Sequence, residues 1–274
     1  MNELLQWHGV SRQAAHKMIK AIDKDQIQVL QTVELAAQIR QHHPQMGCRD
    51  MHYSRRDQMP RGRDWTEAVL LDHGFRVKAR SRSFINPGQQ VCPNRIEGLA
   101  LQRANQLWQT DITYVWVGQR WYYLSFVVDV YTRRILASHC SKDLSTGGQI
   151  TCLKKALRGV PEHERAGLII HSDRGCQYTS NEFKDYLRSH SITQSMAHYA
   201  WQNAYCERVN RSIKHGYLKH YPIENYASLT YYVNKAVRQY NDGKPHRGLP
   251  SRISPNQFVK ERSRGLHSDY SVRI

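Results

Sequence analysis

A change in residue pattern near position 107 constrains the fold of this 274-residue chain more than any other feature. The stretch LWQTDITYVWV, which begins there, alternates and is rich in Thr, Tyr, Trp and Val. RWYYLSFVVDVYTRR and RILASHC follow it after short turns. Such runs predict three consecutive antiparallel strands. Helices and short strands then alternate: a helix over about 146–158, the strand GLIIHSD, a helix capped by Thr179 or Ser180, the strand ITQSMA, and helices over 204–219 and 228–240. The pattern predicts an α/β fold with a mixed sheet flanked by helices.

The first 80 residues are predicted to be helical instead. A short helix would end near Gly9, and Ser11 would cap the next one. Arg12 and Lys17 would project from that second helix as candidate DNA contacts. Two further helices are predicted in QVLQTVELAAQIRQHH and in DWTEAVLLDHGFRVKAR, where Gly74 would end the helix. The arrangement is typical of a small all-α, helix-turn-helix-like region, although helices that only pack on one another would give the same pattern.

A polar stretch separates the two patterns. Residues 81–100 carry Pro, Gly and several arginines, which favours a linker. The sequence therefore predicts a helical DNA-binding region over 1–80, a linker over 81–100, a core over 101–262 and a C-terminal tail over 263–274.

The charge balance indicates what such a chain binds. Forty Lys and Arg residues against 23 Asp and Glu residues give a net charge of +17 and a pI near 9.8. A surplus of this size favours a polyanion, because each cation set against a phosphate releases condensed counterions. A basic protein kept soluble by self-repulsion, or one that meets acidic lipids, would have the same balance. No apolar run is long enough to span a bilayer, and the first 20 residues lack a signal-peptide core.

The cysteines indicate a reducing compartment. None of the six forms a C-x-x-C pair, and none joins a histidine pair at zinc-finger spacing. We therefore expect them to be reduced, buried small hydrophobic residues in a cytoplasmic protein.

Three carboxylates are the candidate metal ligands. Asp111 lies inside a strand, where Asp is rare, Asp173 ends the strand GLIIHSD, and Glu207 lies on a helix. Taken singly each is weak evidence, because an Asp at a strand end more often caps a turn, and Asp129 shows how easily one is over-interpreted. Together they could bind Mg²⁺, and two such ions can activate an attacking oxygen and stabilise a leaving one.

Basic and aromatic residues accompany these carboxylates. Arg211 and Lys214 follow Glu207 at i+4 and i+7 on one helical face, with Arg208 adding charge, and a helix lying along DNA would present such a stripe. An ordinary Glu–Arg pair on a solvated helix is the alternative. The remaining candidate DNA contacts lie near the second carboxylate and in the loop before the helix: Arg174, Tyr199 and Trp201.

Four segments, WQTDITYV, VVDVYTRRILA, HSDRGCQYTSNEF and NAYCERVNRSIK, resemble in order the integrase catalytic core shared by insertion-sequence transposases and retroviral integrases. The tail YNDGKPHRGLPSRISPNQF resembles the ending of the transposase group whose full enzyme is made by fusing two reading frames, and this chain resembles its downstream product. The resemblance spans about residues 100–260. HPQMGCRDM and LLDHGFRVK resemble more loosely the helix-turn-helix segment upstream in that group.

The resemblance implies a ribonuclease-H-like fold with Asp111, Asp173 and Glu207 as the catalytic triad. It implies that Asp129 is structural. The second and third carboxylates are separated by 33 residues, two fewer than in retroviral integrases, and the difference falls in a loop that tolerates length change. Glu224 is a poorer third member because it lies beyond Pro222.

The sequence thus predicts a DDE transposase that uses two Mg²⁺ ions, replaceable by Mn²⁺, to cleave DNA and transfer strands. Its expected partners are the element's terminal inverted repeats, target DNA, further copies of itself, and an upstream-frame protein or fusion; no membrane is expected. A ribonuclease-H-like nuclease without strand transfer is one alternative. A non-catalytic DNA-binding regulator is the other.

Overall fold

The computed structural model describes residues 11–77 and 92–274, and it divides the chain into two compact units. The N-terminal unit comprises Met1–His42 and Met46–Lys78, and the second unit comprises His43–Gln45 and Ala79–Ile274. The short helix predicted before Gly9 lies outside the described residues, as does the predicted linker up to residue 91.

Three helices form the described part of the N-terminal unit: α1 (Arg12–His42), α2 (Cys48–Ser54) and α3 (Arg63–Asp72). Ser11 caps α1 as predicted, since its Oγ accepts a hydrogen bond of 3.1 Å from the Ala14 backbone N–H. The three helices share a small hydrophobic core, which is formed by Ala36, Ile39, Met46, Cys48, Met51, Met59 and Leu70. Gly74 follows α3 with φ +80°, a conformation that favours glycine and ends the helix as predicted.

Two predictions for this unit need correction. The helices expected from Arg12 and over QVLQTVELAAQIRQHH are one continuous helix of 31 residues, because no Gly or Pro interrupts them. In addition, α2 was not predicted as a helix. It begins at Cys48, inside the segment HPQMGCRDM, continues to Ser54, and packs against α3 in the small core.

A five-stranded mixed sheet organises the second unit. Its strands are β2 (Leu107–Val117), β3 (Arg120–Asp129), β4 (Ile135–Ser141), β5 (Ile169–Ser172) and β6 (Thr193–Met196), preceded by the short β1 (Ala100–Leu101). Their spatial order is β4-β3-β2-β5-β6. Strands β2, β3 and β4 pair antiparallel, whereas β5 pairs parallel with both β2 and β6. This is the ribonuclease-H-like arrangement that the element order predicts.

Helices cover both faces of the sheet. They are α4 (Thr146–Arg158), α5 (Cys176–Thr179), α6 (Asn181–Ser189), α7 (Ala204–Arg211), α8 (Tyr226–Gly243) and α9 (Pro255–Arg262). One face buries residues such as Leu124 and Phe126 against Cys206 and Val209 of α7 and against α8. The other face buries Trp108 and Ile170 against α4 and α6. Trp108 is fully buried, so its predicted core role is confirmed.

Both ends of the second unit pack on a third cluster. Ile96, in the described part of the predicted linker, is 1% exposed and shares this cluster with Leu101 and Phe258. The predicted tail contributes β7 (Val272–Arg273), which pairs antiparallel with β1. Segments that precede and follow the sheet in the sequence thus form a separate two-stranded sheet and share one hydrophobic cluster.

Local predictions fared differently along the second unit. The helix expected over 146–158 begins and ends as predicted, and Ser180 rather than Thr179 caps α6 through its Oγ. The helix expected over 204–219 is α-helical only to Arg211, after which Ser212–Tyr217 form a π-helical segment. All six cysteines are free; four are buried as expected, whereas Cys176 is exposed. Within the described residues, each helix is too short or too polar to cross a lipid bilayer.

Candidate active site

Strand pairing brings the first two carboxylates to one place. In the parallel pairing of β2 with β5, Gln109 lies opposite His171. Asp111 and Asp173 each follow two residues later, so they share one face and one edge of the sheet. Asp173 comes directly after β5 ends, which leaves its carboxylate beyond the strand's carboxyl end, where α/β sheets bind ligands.

The turn after Asp173 has room for a glycine and little room for a larger residue. Gly175 has φ −59°, so the turn does not require a glycine conformation. A Cβ at Gly175 would lie 3.1 Å from Asp173 Oδ1 and 3.2 Å from Gln177 Oε1. Both distances are shorter than ordinary van der Waals contacts, so the neighbouring side chains would have to shift. The Gly175 backbone N–H instead donates a 3.0 Å hydrogen bond to Asp173 Oδ1 and so orients the carboxylate.

The third carboxylate is positioned by a glutamine on β2. Glu207 lies in the first turn of α7. Gln109 Oε1 accepts hydrogen bonds from the backbone N–H groups of Tyr205 (3.0 Å) and Cys206 (3.3 Å), which have no partner inside the helix. Its Nε2 donates to the Gln202 carbonyl at 2.9 Å. Gln109 is fully buried, and it ties the start of α7 to the strand that carries Asp111.

Two asparagines complete this connection. Asn210 Nδ2 donates a 2.7 Å hydrogen bond to Asp111 Oδ2, and the Ile112 backbone N–H donates to Asp111 Oδ1 at 2.9 Å. Asn203 Nδ2 donates to the Thr110 carbonyl at 3.1 Å. We call Gln109, Asn203 and Asn210 the polar clamp; all three are buried and all join β2 to α7 or to the turn before it.

Burial and mutual repulsion raise the pKa values of the three carboxylates. Burial, followed by the negative charges of Asp173 and Glu207, raises the pKa of Asp111 to about 8. Burial also raises the pKa of Asp173, against the hydrogen bond from Gly175. Burial raises the pKa of Glu207, with Arg211 acting in the opposite direction and Asp173 in the same one. The three side chains are therefore close enough to destabilise one another's charges.

The donor chemistry of this cluster fits a hard divalent cation. Carboxylate oxygens are the protein ligands of Mg²⁺, and a cation would offset the repulsion that the pKa shifts record. As placed, no three Asp, Glu, His or Cys side chains in residues 11–77 and 92–274 stand close enough to bind one ion. Binding would thus require the carboxylates to move toward one another.

Two buried side chains near the cluster are structural. Asp129 accepts hydrogen bonds from the Asn105 backbone N–H and from both the backbone and hydroxyl groups of Thr132, as its predicted structural role requires. His171 Nδ1 lies 2.9 Å from Ser195 Oγ on the neighbouring strand β6, so this histidine joins two strands. Burial lowers the pKa of His171 to about 4, so this imidazole is neutral.

The basic residues after Glu207 do not form the regular stripe that was predicted. Arg208 and Arg211 are exposed on α7, and no ion pair within 4.0 Å joins Arg211 to Glu207 among the described residues. Lys214 is half-buried in the π-helical segment, whose wider turn removes the 3.6-residue spacing, and burial lowers its pKa. The two residues therefore do not continue one α-helical face.

The loop before α7 exposes two aromatic rings on a held backbone. Tyr199 and Trp201 are 59% and 69% exposed, and their rings stack with centroids 6.0 Å apart and planes 7° apart. Arg174 donates hydrogen bonds to the carbonyls of Ala197 and His198, so its guanidinium holds this loop. In the N-terminal unit, the remaining candidate DNA contacts are exposed on the first half of α1: Arg12 and Lys17.

Sequence reasoning identified the three carboxylates and missed the polar clamp. A signal existed for two of its members. Gln109 is a polar residue two positions before Asp111, on the same face of a strand, and Asn210 is three positions after Glu207 on the same helix. Nothing in the sequence, however, indicates that Gln109 binds backbone groups nearly a hundred residues away.

Family models and solved structures show what the chain is similar to. Two family models, each described as an integrase core domain, match residues 102–199 and residues 190–253. Among solved structures, the chain is similar to the catalytic core domain of HTLV-2 integrase in complex with magnesium, with a TM-score of 0.44 and 21% identity over 60% of this chain and 98% of that one. It is also similar to a chain of the simian T-cell lymphotropic virus intasome in complex with PP2A regulatory subunit B56 gamma, with a TM-score of 0.49 and 20% identity over 63% and 60%.

Sequence relatives are named as transposases. The chain is 30% identical over 175 residues to the transposase for insertion sequence element IS904 of Lactococcus lactis, which covers 62% of this chain and 68% of the relative. It is 29% identical over 204 residues to transposase InsF for insertion sequence IS3A of Escherichia coli, which covers 70% and 68%. With an integrase core and relatives of this kind, the chain belongs to the insertion-sequence transposases.

Proposed function

We propose that Asp111, Asp173 and Glu207 are the catalytic triad of this transposase and the ligands of its divalent cations. The observation that supports the assignment most directly is that strand pairing and the polar clamp bring these three carboxylates together, from β2, from the end of β5 and from α7. Neighbouring carboxylates raise the pKa values of Asp111 and Glu207 there. Asp129 accepts hydrogen bonds from two backbone N–H groups and a hydroxyl group, whereas Asp111 accepts two hydrogen bonds and Asp173 accepts one.

Two Mg²⁺ ions, replaceable by Mn²⁺, would supply the charge that neutralises the phosphate and activates the attacking oxygen. The chain's own residues contribute position. The polar clamp holds Asp111 and the start of α7 together, and Gly175 orients Asp173. Such positioning is the main protein contribution to phosphoryl transfer, which has little covalent chemistry for side chains to perform.

The proposed substrates are the element's terminal inverted repeats and target DNA. Water would cleave at the element's end, and the freed 3′-hydroxyl would attack the target at the same site. The net charge of +17 supports DNA as the partner. Exposed residues on α7, in the loop before it and on α1 would contact DNA: Arg208, Arg211, Tyr199, Trp201, Arg12 and Lys17, with Lys214 and Arg174 partly buried beside them. The region over 1–80 would recognise the ends, and the protein would act as a homo-oligomer, alone or with an upstream-frame partner.

Isosteric substitution of the triad tests this proposal. Asp111→Asn, Asp173→Asn and Glu207→Gln should each lower Mg²⁺-dependent cleavage and joining by more than about 100-fold, because loss of a ligand exceeds the effect of losing its supporting residues. DNA binding should persist. Asp185→Asn, which changes an exposed carboxylate on α6, is the matched control.

A substrate with pre-cleaved ends separates the alternatives. Joining of such ends to target DNA is expected of a transposase, whereas cleavage without joining would identify a ribonuclease-H-like nuclease. DNA binding without any metal-dependent cleavage would identify a regulator. A Glu207→Gln protein that joins ends at the wild-type rate would remove Glu207 from the triad.

A further inference from the structure

Two guanidinium groups lie beside one tyrosine ring at the start of α7. Arg133 Cζ is 4.2 Å from the centroid of the Tyr205 ring, and Arg208 Cζ is 5.8 Å from it. Arg133 belongs to the turn between β3 and β4, whereas Tyr205 and Arg208 are three residues apart and share one side of α7. Contacts between a cation and an aromatic ring attract both side chains to this place. We call Arg133, Tyr205 and Arg208 the arginine–tyrosine stack.

The turn holds Arg133 in a strained backbone conformation. Its φ is +63°, in the left-handed region that favours glycine. Asp129 fixes this turn, because its Oδ1 accepts hydrogen bonds from the backbone N–H and the hydroxyl group of Thr132. The guanidinium also lies against Gly248, where a Cβ would be 3.4 Å from Arg133 Nη2. Strained residues that are held in this way are concentrated at functional sites, so the position of Arg133 indicates a role beyond the turn.

Positive charge is concentrated around the stack without an acidic partner. Among the described residues, no carboxylate lies within 4.0 Å of the Arg133 or Arg208 side chain. His246 lies two residues before Gly248, in the loop that contacts Arg133. Burial, followed by positive charges that include those of Arg133 and Arg208, lowers the pKa of His246 to about 3. The cations therefore crowd one another, as the three carboxylates do at the candidate active site.

Two buried nitrogen atoms in this region have no hydrogen-bond partner in residues 11–77 and 92–274: Arg133 Nη1 and His246 Nε2. Buried polar groups in folded proteins nearly always have one. An anion would offset the crowded positive charge and would accept hydrogen bonds from Arg133. Guanidinium groups suit a phosphate in particular, because their planar N–H donors match its oxygen atoms two at a time. The chemistry of the stack therefore favours a phosphate group as its ligand.

The stack lies beside the proposed catalytic site. Glu207 falls between Tyr205 and Arg208 in the sequence of α7. In an α-helix, successive residues are about 100° apart around the axis and about 1.5 Å apart along it, so Arg208 and Glu207 project from neighbouring sides. A DNA backbone whose scissile phosphate lay at Glu207 would therefore have another phosphate close to the stack. This position, together with the net charge of +17, favours DNA over free phosphate as the source of the anion.

We propose that Arg133 and Arg208 together bind one phosphate group of the DNA backbone near the scissile phosphate. The inference rests on the proposed function, because it takes DNA as the substrate held at Glu207. It adds to the DNA contacts Arg133, which the sequence analysis did not select. Tyr205 has the role of holding the two guanidinium groups side by side. Free phosphate has the same chemistry as a backbone phosphate, so both are used as probes.

The test measures binding of the full chain to a fluorescent DNA duplex across a salt series, without divalent metal. Arg133→Gln combined with Arg208→Gln should lower the slope of log K against log salt by about one unit, because one phosphate is no longer neutralised. At about 0.1 M salt this corresponds to about eightfold weaker binding. Each single variant should lower the slope by less, because the other arginine remains. A fall of about two units in the double variant would mean two separate phosphates and would overturn the shared site.

Matched variants separate a phosphate contact from an effect of net charge. Arg158→Gln combined with Arg188→Gln removes the same charge from exposed positions on α4 and α6 and should leave the slope unchanged. An equal fall of the slope in this control would overturn the site, because net charge alone would then explain the result. Arg133→Lys combined with Arg208→Lys keeps both charges. It should keep the slope and lose part of the affinity, because lysine lacks the planar fork.

Inorganic phosphate at constant ionic strength is the second probe. If it raised the unfolding temperature of the wild type but not of the double Gln variant, and the duplex slope were equal in both, the site would bind free phosphate and the DNA contact would be wrong. A double Gln variant that is folded, less stable and unchanged in slope would reduce both arginines to structural residues. Arg208→Gln alone changes an exposed side chain, so it tests the slope even where the double variant does not fold. An unchanged slope in this single variant would also overturn the proposal.

Failure of this inference is distinguishable from failure of the proposed function. Asp111→Asn should bind the duplex with the wild-type slope while losing cleavage. If Asp111→Asn cleaved normally and the double Gln variant lowered the slope, the triad would be wrong and the phosphate site would stand. If Asp111→Asn lost cleavage and the double Gln variant kept the slope, the triad would stand and the phosphate site would be wrong.

Discussion

Two aspartates on adjacent strands have opposite surroundings. Asp129 lies opposite Trp108 on the face covered by α4 and α6, and Asp111, three residues along from Trp108, lies on the face covered by α7. Asp129 is fully buried and Asp111 is partly buried, and burial raises the pKa of both. Around Asp129, hydrogen bonds from Asn105 and Thr132 oppose that effect. Around Asp111, two further carboxylates reinforce it.

The difference separates a structural carboxylate from a functional one. An anion whose oxygens are met by backbone and hydroxyl donors is stabilised by the fold and stabilises it in return. An anion crowded by others is a cost to the fold, and it persists where a cation or substrate compensates for it. Residue type and element alone do not distinguish the two, because each is an Asp on a strand of the same hairpin.

Asp129 should contribute more than Asp111 to the free energy of unfolding, and equal contributions would contradict the distinction between a structural and a functional carboxylate. Asp129→Ala leaves the buried N–H groups of Asn105 and Thr132 without their acceptor and should lower the free energy of unfolding by about 3–5 kcal/mol. Asp111→Asn keeps an acceptor for Asn210 and removes repulsion, so it should change that free energy by less than about 1 kcal/mol. Denaturant titration without divalent metal measures both. Equal losses would mean that Asp111 is also a structural anion.

Divalent metal should stabilise one region and not the other. A ligand present at 100 times its dissociation constant adds about 2.7 kcal/mol to the stability of the state that binds it. Wild-type protein and Asp185→Asn should gain up to this amount with Mg²⁺, and Asp111→Asn should gain much less. Thermal unfolding across a Mg²⁺ series is the measurement. A full gain in Asp111→Asn would show that the ion binds elsewhere.

The polar clamp should affect both stability and cleavage, since it supports the region where the three carboxylates meet. Gln109→Leu has similar volume but leaves the N–H groups of Tyr205 and Cys206 and the Gln202 carbonyl without a partner. We expect a loss of about 1–3 kcal/mol in unfolding free energy and a 10- to 100-fold fall in cleavage rate, with DNA affinity unchanged. Assays at a temperature where the variant remains folded separate the two effects. A rate that fell no more than the folded fraction would reduce Gln109 to a stabilising residue.

His246 extends the comparison to a buried base crowded by cations. Burial, then the charges of Lys244, Arg133 and Arg208, lowers the pKa of His246 to about 3, and its ring packs on Tyr240. Because the unfolded chain binds the proton near pH 6.5 and the folded chain does not, this contribution to stability is complete above pH 6.5. It should be lost as the pH falls from 6.5 toward 3, by at most about 1.4 kcal/mol per pH unit.

The test is the pH dependence of unfolding in the wild type and in His246→Gln. The variant should lack this part of the acid-induced loss between pH 6.5 and 4, while triad variants should retain it. An identical slope in His246→Gln would mean that His246 is not held neutral by its surroundings.

Much of the second unit follows from local sequence. β-Branched and aromatic residues predict β2 and β3, short turns delimit β4, and the helix expected over 146–158 is α4. The fully buried Trp108 and the structural role of Asp129 were also predictable. In the N-terminal unit, Ser11 and Gly74 are signals of the same kind. Each depends on backbone geometry and side-chain size within a few residues of the position concerned.

Other features were decided by contacts between distant segments. The single helix α1 replaces two predicted ones because capping and turn signals only permit a break, and continuous hydrogen bonding is more favourable where nothing forbids it. The π-helical turn at Ser212–Tyr217 displaced Lys214 from its predicted face, and residues on either side of the core, such as Ile96 and Val272, joined it. None of these choices is encoded within one turn or one strand pair.

The three carboxylates could be identified as possible metal ligands without a structure, because their residue types and their places at strand and helix ends are local properties. The contacts that position these carboxylates come from the tertiary structure. Gln109 reaches α7 because β2 and the segment after β6 meet across almost a hundred residues, and Gly175 is required by the space beside Asp173 rather than by its own backbone. Side-chain hydrogen bonds and close approaches depend on distance in three dimensions, which the order of residues along a chain does not specify.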